Sequence, residues 1–390
     1  MNPINMQTNK PTKRIPRVRL LSTLAALCLI QSLIANVAFA QVKYSPFGYP
    51  GAAMGDPQGP TGVRGAGGQD VYVTGIWSHV VNGEQISSGL LYIGPLSGGG
   101  NSGSWTPLNY PSSPGITVVN TSLYGPDGLP FGRVRLVGSY TTSSPTPPPL
   151  NHGLLYEGPP DGSGTWQTID YPNPPGQQVQ NTIAHSTMGG LVVGNFDTDT
   201  DPGSAFVYNI ATATWFPLRQ FLPPNVHVLT ITAYGIWYNG GTSYTIAGGY
   251  SDPGFPGLDQ HSYLLNWDTA TQPPTLSGWT TYDFDNGHRV EISHFDGITS
   301  DNKGGYYLTG TWEGEAHVGA FFAHVPRTPH RPFGDARWRD IEYPSFPRHR
   351  VDVTTGNTVF ENIVLGIFTS VPDPGAGVLQ GYVANVQGHR

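Results

Sequence analysis

Apolar residues in this chain fall in short runs separated by clusters of Gly, Pro, Asn and Asp. Val71-Tyr-Val-Thr-Gly-Ile-Trp77 and Val134-Arg-Leu-Val-Gly-Ser-Tyr140 are representative. They are rich in β-branched and aromatic side chains, which suit a pleated and half-buried surface, and turn-forming residues bound them. Beyond the first forty residues, no window of eleven or more holds a helical apolar stripe free of Gly or Pro. The pattern predicts an all-β chain.

The runs recur. An apolar run ending in glycine appears six times, at Gly75, Gly138, Gly194, Gly248, Gly310 and Gly366, with spacings of 54 to 63 residues. A second run follows most of them: Gly89-Leu-Leu-Tyr92, Gly153-Leu-Leu-Tyr156, Ala205-Phe-Val-Tyr208, Ser262-Tyr-Leu-Leu265 and Ala320-Phe-Phe322. A third is led by tryptophan, as in Trp105-Thr-Pro-Leu-Asn-Tyr-Pro111, Trp166-Gln-Thr-Ile-Asp-Tyr-Pro172 and Trp338-Arg-Asp-Ile-Glu-Tyr-Pro344. With the strand that precedes each glycine run, every unit offers four strands. In the second unit they are 117–124, 134–140, 153–158 and 165–171.

Four-stranded units at this spacing predict propeller blades, whereas tandem sandwiches need about seven strands per domain. The sixth unit supplies only three strands, 352–359, 363–369 and 378–386. Its missing aromatic run ending in Tyr-Pro stands near the other end of the chain, as Val42-Lys-Tyr-Ser-Pro-Phe-Gly-Tyr-Pro50. The expectation is a six-bladed β-propeller closed by the mature N-terminal strand, with five or seven blades as alternatives. Closure removes exposed sheet edges.

The first forty residues differ in character. Lys10, Lys13, Arg14, Arg17 and Arg19 precede an apolar stretch from Leu20 to about Ile30, and Ala38-Phe-Ala40 offers a small-x-small cleavage site before Gln41. This predicts a signal peptide over 1–40 and a single propeller domain over 41–390. Gln31, Ser32 and Asn36 interrupt the stretch, so the roughly 18 unbroken apolar residues of a membrane anchor are lacking. The only cysteine, Cys28, lies here, and Leu27 stands where a lipoprotein signal wants a small residue. The mature chain then has no thiol for a disulfide, a nucleophile or a metal ligand.

Five of the 19 basic residues and none of the 26 acidic ones lie in that segment, which leaves 14 against 26, a net charge of −12. Such a balance argues against nucleic acid and against adsorption to anionic lipid. After cleavage no transmembrane segment remains. The expected location is secreted, either extracellular or periplasmic. Gly and Pro are abundant, at 52 and 37 residues, but the aromatic residues keep register with the repeat, as a packed core requires. Low-complexity stretches such as Ser143-Ser-Pro-Thr-Pro-Pro-Pro149 fall in the gaps and read as loops.

The units resemble kelch-type propeller repeats. Leu191-Val-Val-Gly194, Phe206-Val-Tyr208 and Thr214-Trp215 follow the order of that family, and Gly248-Gly249 supplies its double glycine in one unit. His152-Gly-Leu-Leu-Tyr156, Leu136-Val-Gly-Ser-Tyr140 and Gly297-Ile298 are also similar to elements of HAF-type bacterial extracellular repeats. These resemblances imply the fold and an extracellular location, and they imply no activity.

In kelch-like order the strand before each glycine run is innermost and lines the central channel. At the comparable stretch the units carry Arg64, Tyr124, His185, Tyr234, His294 with Asp296, and Asn357. Such a ring at the channel mouth could hydrogen-bond a polar ligand, and its tyrosines could stack on a sugar face. The same groups could instead bond water in a solvated channel. His294 and Asp296 are two apart on one strand and would face one side, where the carboxylate can orient the imidazole or raise its pKa for acid–base work.

Asp197, Asp199 and Asp201 have the DxDxDxG spacing of calcium loops. Ala205 and Tyr208 stand where a later acidic ligand belongs, and an acidic β-turn uses the same residues. Trp105, Trp166, Trp215, Trp279 and Trp338 share one repeat position, which predicts packing between blades, while Trp77, Trp237 and Trp312 lie elsewhere. Arg327, His330, Arg331, Arg337, Arg339, Arg348, His349 and Arg350 form the one basic stretch beyond the first forty residues, which could take an anionic glycan or a partner's acidic face or be a solvated loop.

No GxSxG, HExxH, phosphate loop or dinucleotide fingerprint follows the first forty residues. The expected function is a secreted, non-enzymatic propeller that binds a glycan or an extracellular protein at the channel mouth, without a cofactor unless calcium occupies the acidic loop. One alternative is a secreted hydrolase, lactonase or polysaccharide lyase, which needs acid–base or metal ligands clustered at the mouth. The other is a structural envelope scaffold. Fold alone does not choose among them.

Overall fold

The computed structural model describes residues 42–386 except 144–148, 253–259, 286, 288–289, 315–316, 329 and 373–376. The expected signal peptide lies outside the described residues. These residues are all-β, with two short 3-10 turns at Pro130–Gly132 and Leu218–Phe221. Among them no helix is long and apolar enough to cross a membrane.

After β1 (Val42–Pro46) the strands form antiparallel meanders of similar build. The first holds β2 (Gln58–Gly67), β3 (Asp70–Val81), β4 (Glu84–Pro95) and β5 (Ser104–Leu108). The second holds β6 (Val118–Leu129), β7 (Arg133–Thr142), β8 (His152–Gly158) and β9 (Thr165–Thr168). The third holds β10 (Val179–Met188), β11 (Leu191–Thr198), β12 (Ser204–Asn209) and β13 (Thr214–Pro217). Then come β14 (Thr230–Gly240) to β17 (Thr275–Tyr282) through β15 (Ser243–Ser251) and β16 (Gln260–Asp268), and β18 (Val290–Ser300) to β21 (Arg337–Ile341) through β19 (Tyr306–Gly314) and β20 (His317–Val325). The last meander holds β22 (His349–Phe360), β23 (Ile363–Pro372) and β24 (Val378–Val386).

The first three meanders are separate four-stranded sheets, and the others belong to one twelve-stranded sheet. Within that large sheet the meanders are joined only by single parallel pairs, Gln260↔Ile292 and Val318↔Val353. The arrangement is propeller-like. β1 pairs antiparallel with β24, from Val42↔Val386 to Pro46↔Tyr382, and so lies beside the three-stranded last meander.

The recurring glycine has a steric cause. It lies on the second strand of each meander, opposite a point where the first strand bulges. A Cβ at Gly138 would stand 1.9 Å from the Ser122 carbonyl oxygen, and one at Gly310 would stand 1.8 Å from that of His294. Gly75, Gly194, Gly248 and Gly366 face the corresponding carbonyls of Gly59, Ile183, Thr232 and Thr355. No side chain fits there, so the glycine is a condition of the bulge.

The tryptophan and tyrosine elements bind one meander to the next. Trp105, Trp166, Trp215, Trp279 and Trp338 pack on Tyr92, Tyr156, Tyr208, Tyr263 and Phe321 of the third strands. The tyrosine of each Tyr-Pro element then lies on the following meander. Tyr110 stacks on Tyr140, Tyr171 on Phe196 and Tyr343 on Phe368. Their backbone N–H groups donate to Thr121, Thr182 and Thr354 at equivalent places. Tyr49 does the same at the equivalent Gln58, donating to its Oε1 at 2.6 Å, and rests on Trp77. The chain segment before β2 thus enters the first meander as the other Tyr-Pro elements enter theirs.

Candidate functional site

Each first strand carries one β-bulge opposite its glycine. The unpaired residues are Thr61, Tyr124, His185, Tyr234, Asp296 and Asn357. A bulge re-aims the side chain that it leaves out of the ladder. Here all six point into a common cavity of about 280 Å³, lined also by His294, Thr311, Thr355 and Ile367. The residue after the bulge is often glycine because the first strands nearly touch. A Cβ at Gly62 would collide with the Tyr124 carbonyl, and one at Gly297 would reach Thr358 Cα at 2.7 Å.

One wall of the cavity is aromatic. The rings of Tyr124 and His185 are 5.3 Å apart, those of His185 and Tyr234 4.8 Å, and those of Tyr234 and His294 5.3 Å. Successive interplanar angles of 59°, 65° and 32° bend this arc into a cup rather than a flat platform. The other wall is small and polar, with Ile367 as its aliphatic member. Thr61 Oγ1 donates to the Leu123 carbonyl at 2.5 Å, and Asn357 Nδ2 donates to that of Pro60 at 2.8 Å, so these side chains also tie neighbouring strands together.

The two histidines are held differently. His294 Nδ1 lies 2.9 Å from Asp296 Oδ1, whose other oxygen accepts from Thr311 Oγ1 at 3.3 Å. Burial works against the His294 imidazolium, but the Asp296 charge and hydrogen bond, with Glu313 beyond, outweigh it and hold its pKa above the ordinary value. His185 Nε2 lies 2.8 Å from Asn195 Oδ1. The Asn195 amide bonds in turn to the Asp197 carboxylate, which also accepts from Asn181 Nδ2. That chain orients the amide oxygen toward His185, which therefore donates from Nε2. Burial pulls the His185 pKa down to about 4 despite this hydrogen bond. At neutral pH one imidazole is uncharged and the other is biased toward its proton. Burial raises the phenol pKa of Tyr124 and Tyr234, so both remain neutral donors.

Six of the seven residues expected at the channel mouth line this cavity; Arg64 does not. The residue equivalent to the others is Thr61, three positions earlier. Arg64 is buried one layer deeper and crosses the channel. Its guanidinium donates to the Ile236 carbonyl at 2.7 Å, to Ser186 Oγ at 3.2 Å and to the Ile298 carbonyl at 3.4 Å. It also lies over the Trp237 ring at 5.6 Å. Burial lowers its pKa to about 10, with Asp127 opposing, so it stays charged at neutral pH. Arg64 thus lies beneath the cup without lining it.

The three aspartates of the acidic loop are engaged separately. Asp197 accepts from Asn181, Asp199 Oδ1 from the Gln178 N–H at 2.9 Å, and Asp201 from Ser204 Oγ at 2.9 Å and from Arg219. Among the described residues, no group of three or more His, Cys, Asp or Glu side chains is gathered as a metal site. The basic stretch is divided. Arg327 and Arg331 precede β21 and Arg348 and Arg350 follow it, so the two groups lie at opposite ends of a strand about 17 Å long. Trp77 stacks on His79, and Trp312 is interior with its Nε1 donating to Asp340; neither lines the cup.

Thr311, Thr355, Ile367 and Asn195 were not expected from the sequence. They lie on second strands or two residues before a bulge, and no single-strand pattern marks them. Thr61 had a signal: Thr61-Gly62 repeats the pairing of Tyr124-Gly125, Tyr234-Gly235 and Asp296-Gly297.

No family model matches the chain, and no curated protein sequence does. Solved structures do resemble it. A protein of unknown function from Dyadobacter fermentans is 9% identical over 89% of this chain and 99% of its own, with a TM-score of 0.49. A xylan β-1,4-xylosidase from Bacillus halodurans is 8% identical over 84% of this chain and 80% of its own, with a TM-score of 0.35.

Proposed function

We propose that this chain is an exported six-bladed propeller, closed by β1 as the outer strand of the last blade, whose channel-mouth cup binds one ring of a neutral glycan. The blade count is supported by the six bulged first strands, and closure by the β1–β24 ladder and the Tyr49–Gln58 bond. The observation that carries the ligand reading is the bent arc Tyr124–His185–Tyr234–His294 facing a polar wall of Thr61, Thr355 and Asn357. Aromatic faces match the C–H faces of a sugar ring, and amide and hydroxyl groups match its rim. The cup contains one carboxylate, Asp296, whereas common glycoside hydrolysis uses a pair about 5–10 Å apart.

A second reading, an acid–base enzyme acting on a bound sugar or lactone, is favoured by the contrast between His185 and His294. Groups pushed apart in pKa within one pocket are the usual acid and base assignments.

Titration against a neutral glycan array tests the first reading. Tyr124→Ala and Tyr234→Ala should each weaken binding by about 1–3 kcal/mol, and added salt should matter little because few ion pairs are screened. Binding that collapses with salt and with loss of Arg348 and Arg350 would move the site to the basic loop. Consumption of a polysaccharide or lactone that stops in His294→Ala would replace binding by catalysis.

A further inference from the structure

The cup does not stand alone. A second cavity of about 330 Å³ shares Thr61, Tyr124, Asn357 and Ile367 with it. From there it runs outward over β2 and β3 on one side and β23 and β24 on the other, between Ile76 and Ser78, Gln58 and Leu379. The two form one bent site: a cup at the channel axis and a groove leading from its polar wall. Three features restrict what can fill it. Arg64 spans the space beneath the cup, bonded to strands of three other meanders, and so stands across the path that a threading chain would take. His185, Tyr234 and His294 of the aromatic arc wall the side away from the groove, and Tyr124 stands where cup and groove meet. The volume of the cup is near the lower end for small-molecule sites and suits one sugar ring. An interior unit of a polymer needs a way out on both sides, and this shape offers a groove on one.

We propose that the site recognises the end of an oligosaccharide chain, with the terminal ring in the cup and the adjoining unit in the groove. The proposal rests on the glycan reading above and narrows it to chain ends. The groove has matching chemistry. Ile76, Ile367 and Leu379 offer aliphatic contact to the flat of a second ring. Gln58 Oε1 is occupied by the Tyr49 N–H, which fixes the amide and leaves its Nε2 as a donor. Ser78 adds a hydroxyl, already paired with Ser87 at 2.8 Å.

The test is calorimetric titration of the protein with neutral gluco-, xylo-, manno- and galacto-oligosaccharides of one to four units, with β-cyclodextrin as an endless α-1,4-glucan. In at least one series the disaccharide should bind about tenfold more tightly than its monosaccharide, and β-cyclodextrin should bind no better than the monosaccharide. Ile76→Trp, which fills the groove, should abolish the gain from length and leave monosaccharide affinity within about twofold. Leu379→Trp on the opposite wall should do the same, which guards against a folding defect in either variant. Monosaccharide binding without gain from length, or equal weakening of both ligands by Ile76→Trp, overturns chain-end recognition and leaves the cup reading standing. β-Cyclodextrin binding as tightly as the linear chains overturns it too. Failure of every series to bind removes both.

Discussion

Phe47 is the side chain on which ring closure can be tested most sharply. It follows β1 directly, is 1% exposed, and packs with Val63, Val71, Val73 and Tyr92 of the first meander and with Leu365 and Val383 of the last. Its ring meets Tyr92 edge-on at 5.2 Å and Trp105 at 5.4 Å, and its N–H donates to the Gly381 carbonyl at 2.9 Å. Phe47→Ala therefore opens a cavity between the first and last meanders. A fully buried Phe→Ala change costs about 3–5 kcal/mol, a large part of a domain stability of roughly 5–15 kcal/mol. At about 1.4 °C per kcal/mol for a chain of this length, the melting temperature should fall by roughly 4–7 °C. Phe47→Leu should fall by less, and Lys43→Ala, on the exposed side of β1, should change stability by under about 0.5 kcal/mol. Differential scanning calorimetry of the three variants measures this. A Phe47→Ala protein melting within about 1 °C of the parent would show that β1 does not join the last meander to the first.

The histidines predict a pH dependence with two limbs. His185, its pKa pulled down to about 4, refuses a proton that the unfolded chain accepts below about pH 6.5. Stability should fall as pH drops from 6.5 to 4, and His185→Gln should flatten that limb. His294, its pKa raised, contributes fully below about pH 6.5 and loses that contribution as pH rises through its folded value; His294→Gln should flatten the upper limb. Melting temperatures between pH 4 and 8 that run parallel in parent and variants would refute both assignments. Millimolar calcium should leave the melting temperature unchanged, because Asp197, Asp199 and Asp201 are each engaged in separate bonds. A rise that Asp199→Ala abolishes would restore the metal reading.

The repeat was legible because packing imposes it at every turn: the glycine, the third-strand aromatic and the tryptophan each fill one place in each unit or nearly so. The pocket was legible to within a few residues for the same reason, since a site built from equivalent positions inherits the period. Arg64 was expected there because it stands at the comparable stretch of its unit, and the register is off by three residues. The bulge at Thr61 sets the register, and Arg64, three residues on, is buried across the channel instead. Arg64 beneath the cup and the groove toward Leu379 have no signature in the chain, because each joins strands distant in sequence, and Asn195 has none because it meets His185 only through the register of their hairpin.

The bulge also explains why the architecture is readable and the chemistry is not. The second-strand glycine is fixed by a carbonyl that would overlap any Cβ, at Gly138 as at Gly310. The bulged residue opposite is released from the ladder and projects into the channel, so the fold demands little of its identity. The six positions accordingly hold Thr, Tyr, His, Tyr, Asp and Asn. Backbone geometry thus sets a position that the fold fixes beside one that it leaves free, within the same strand pair. The residues that break the repeat are therefore the ones on which the proposed binding rests, and the most regular residue in each unit shows where they stand.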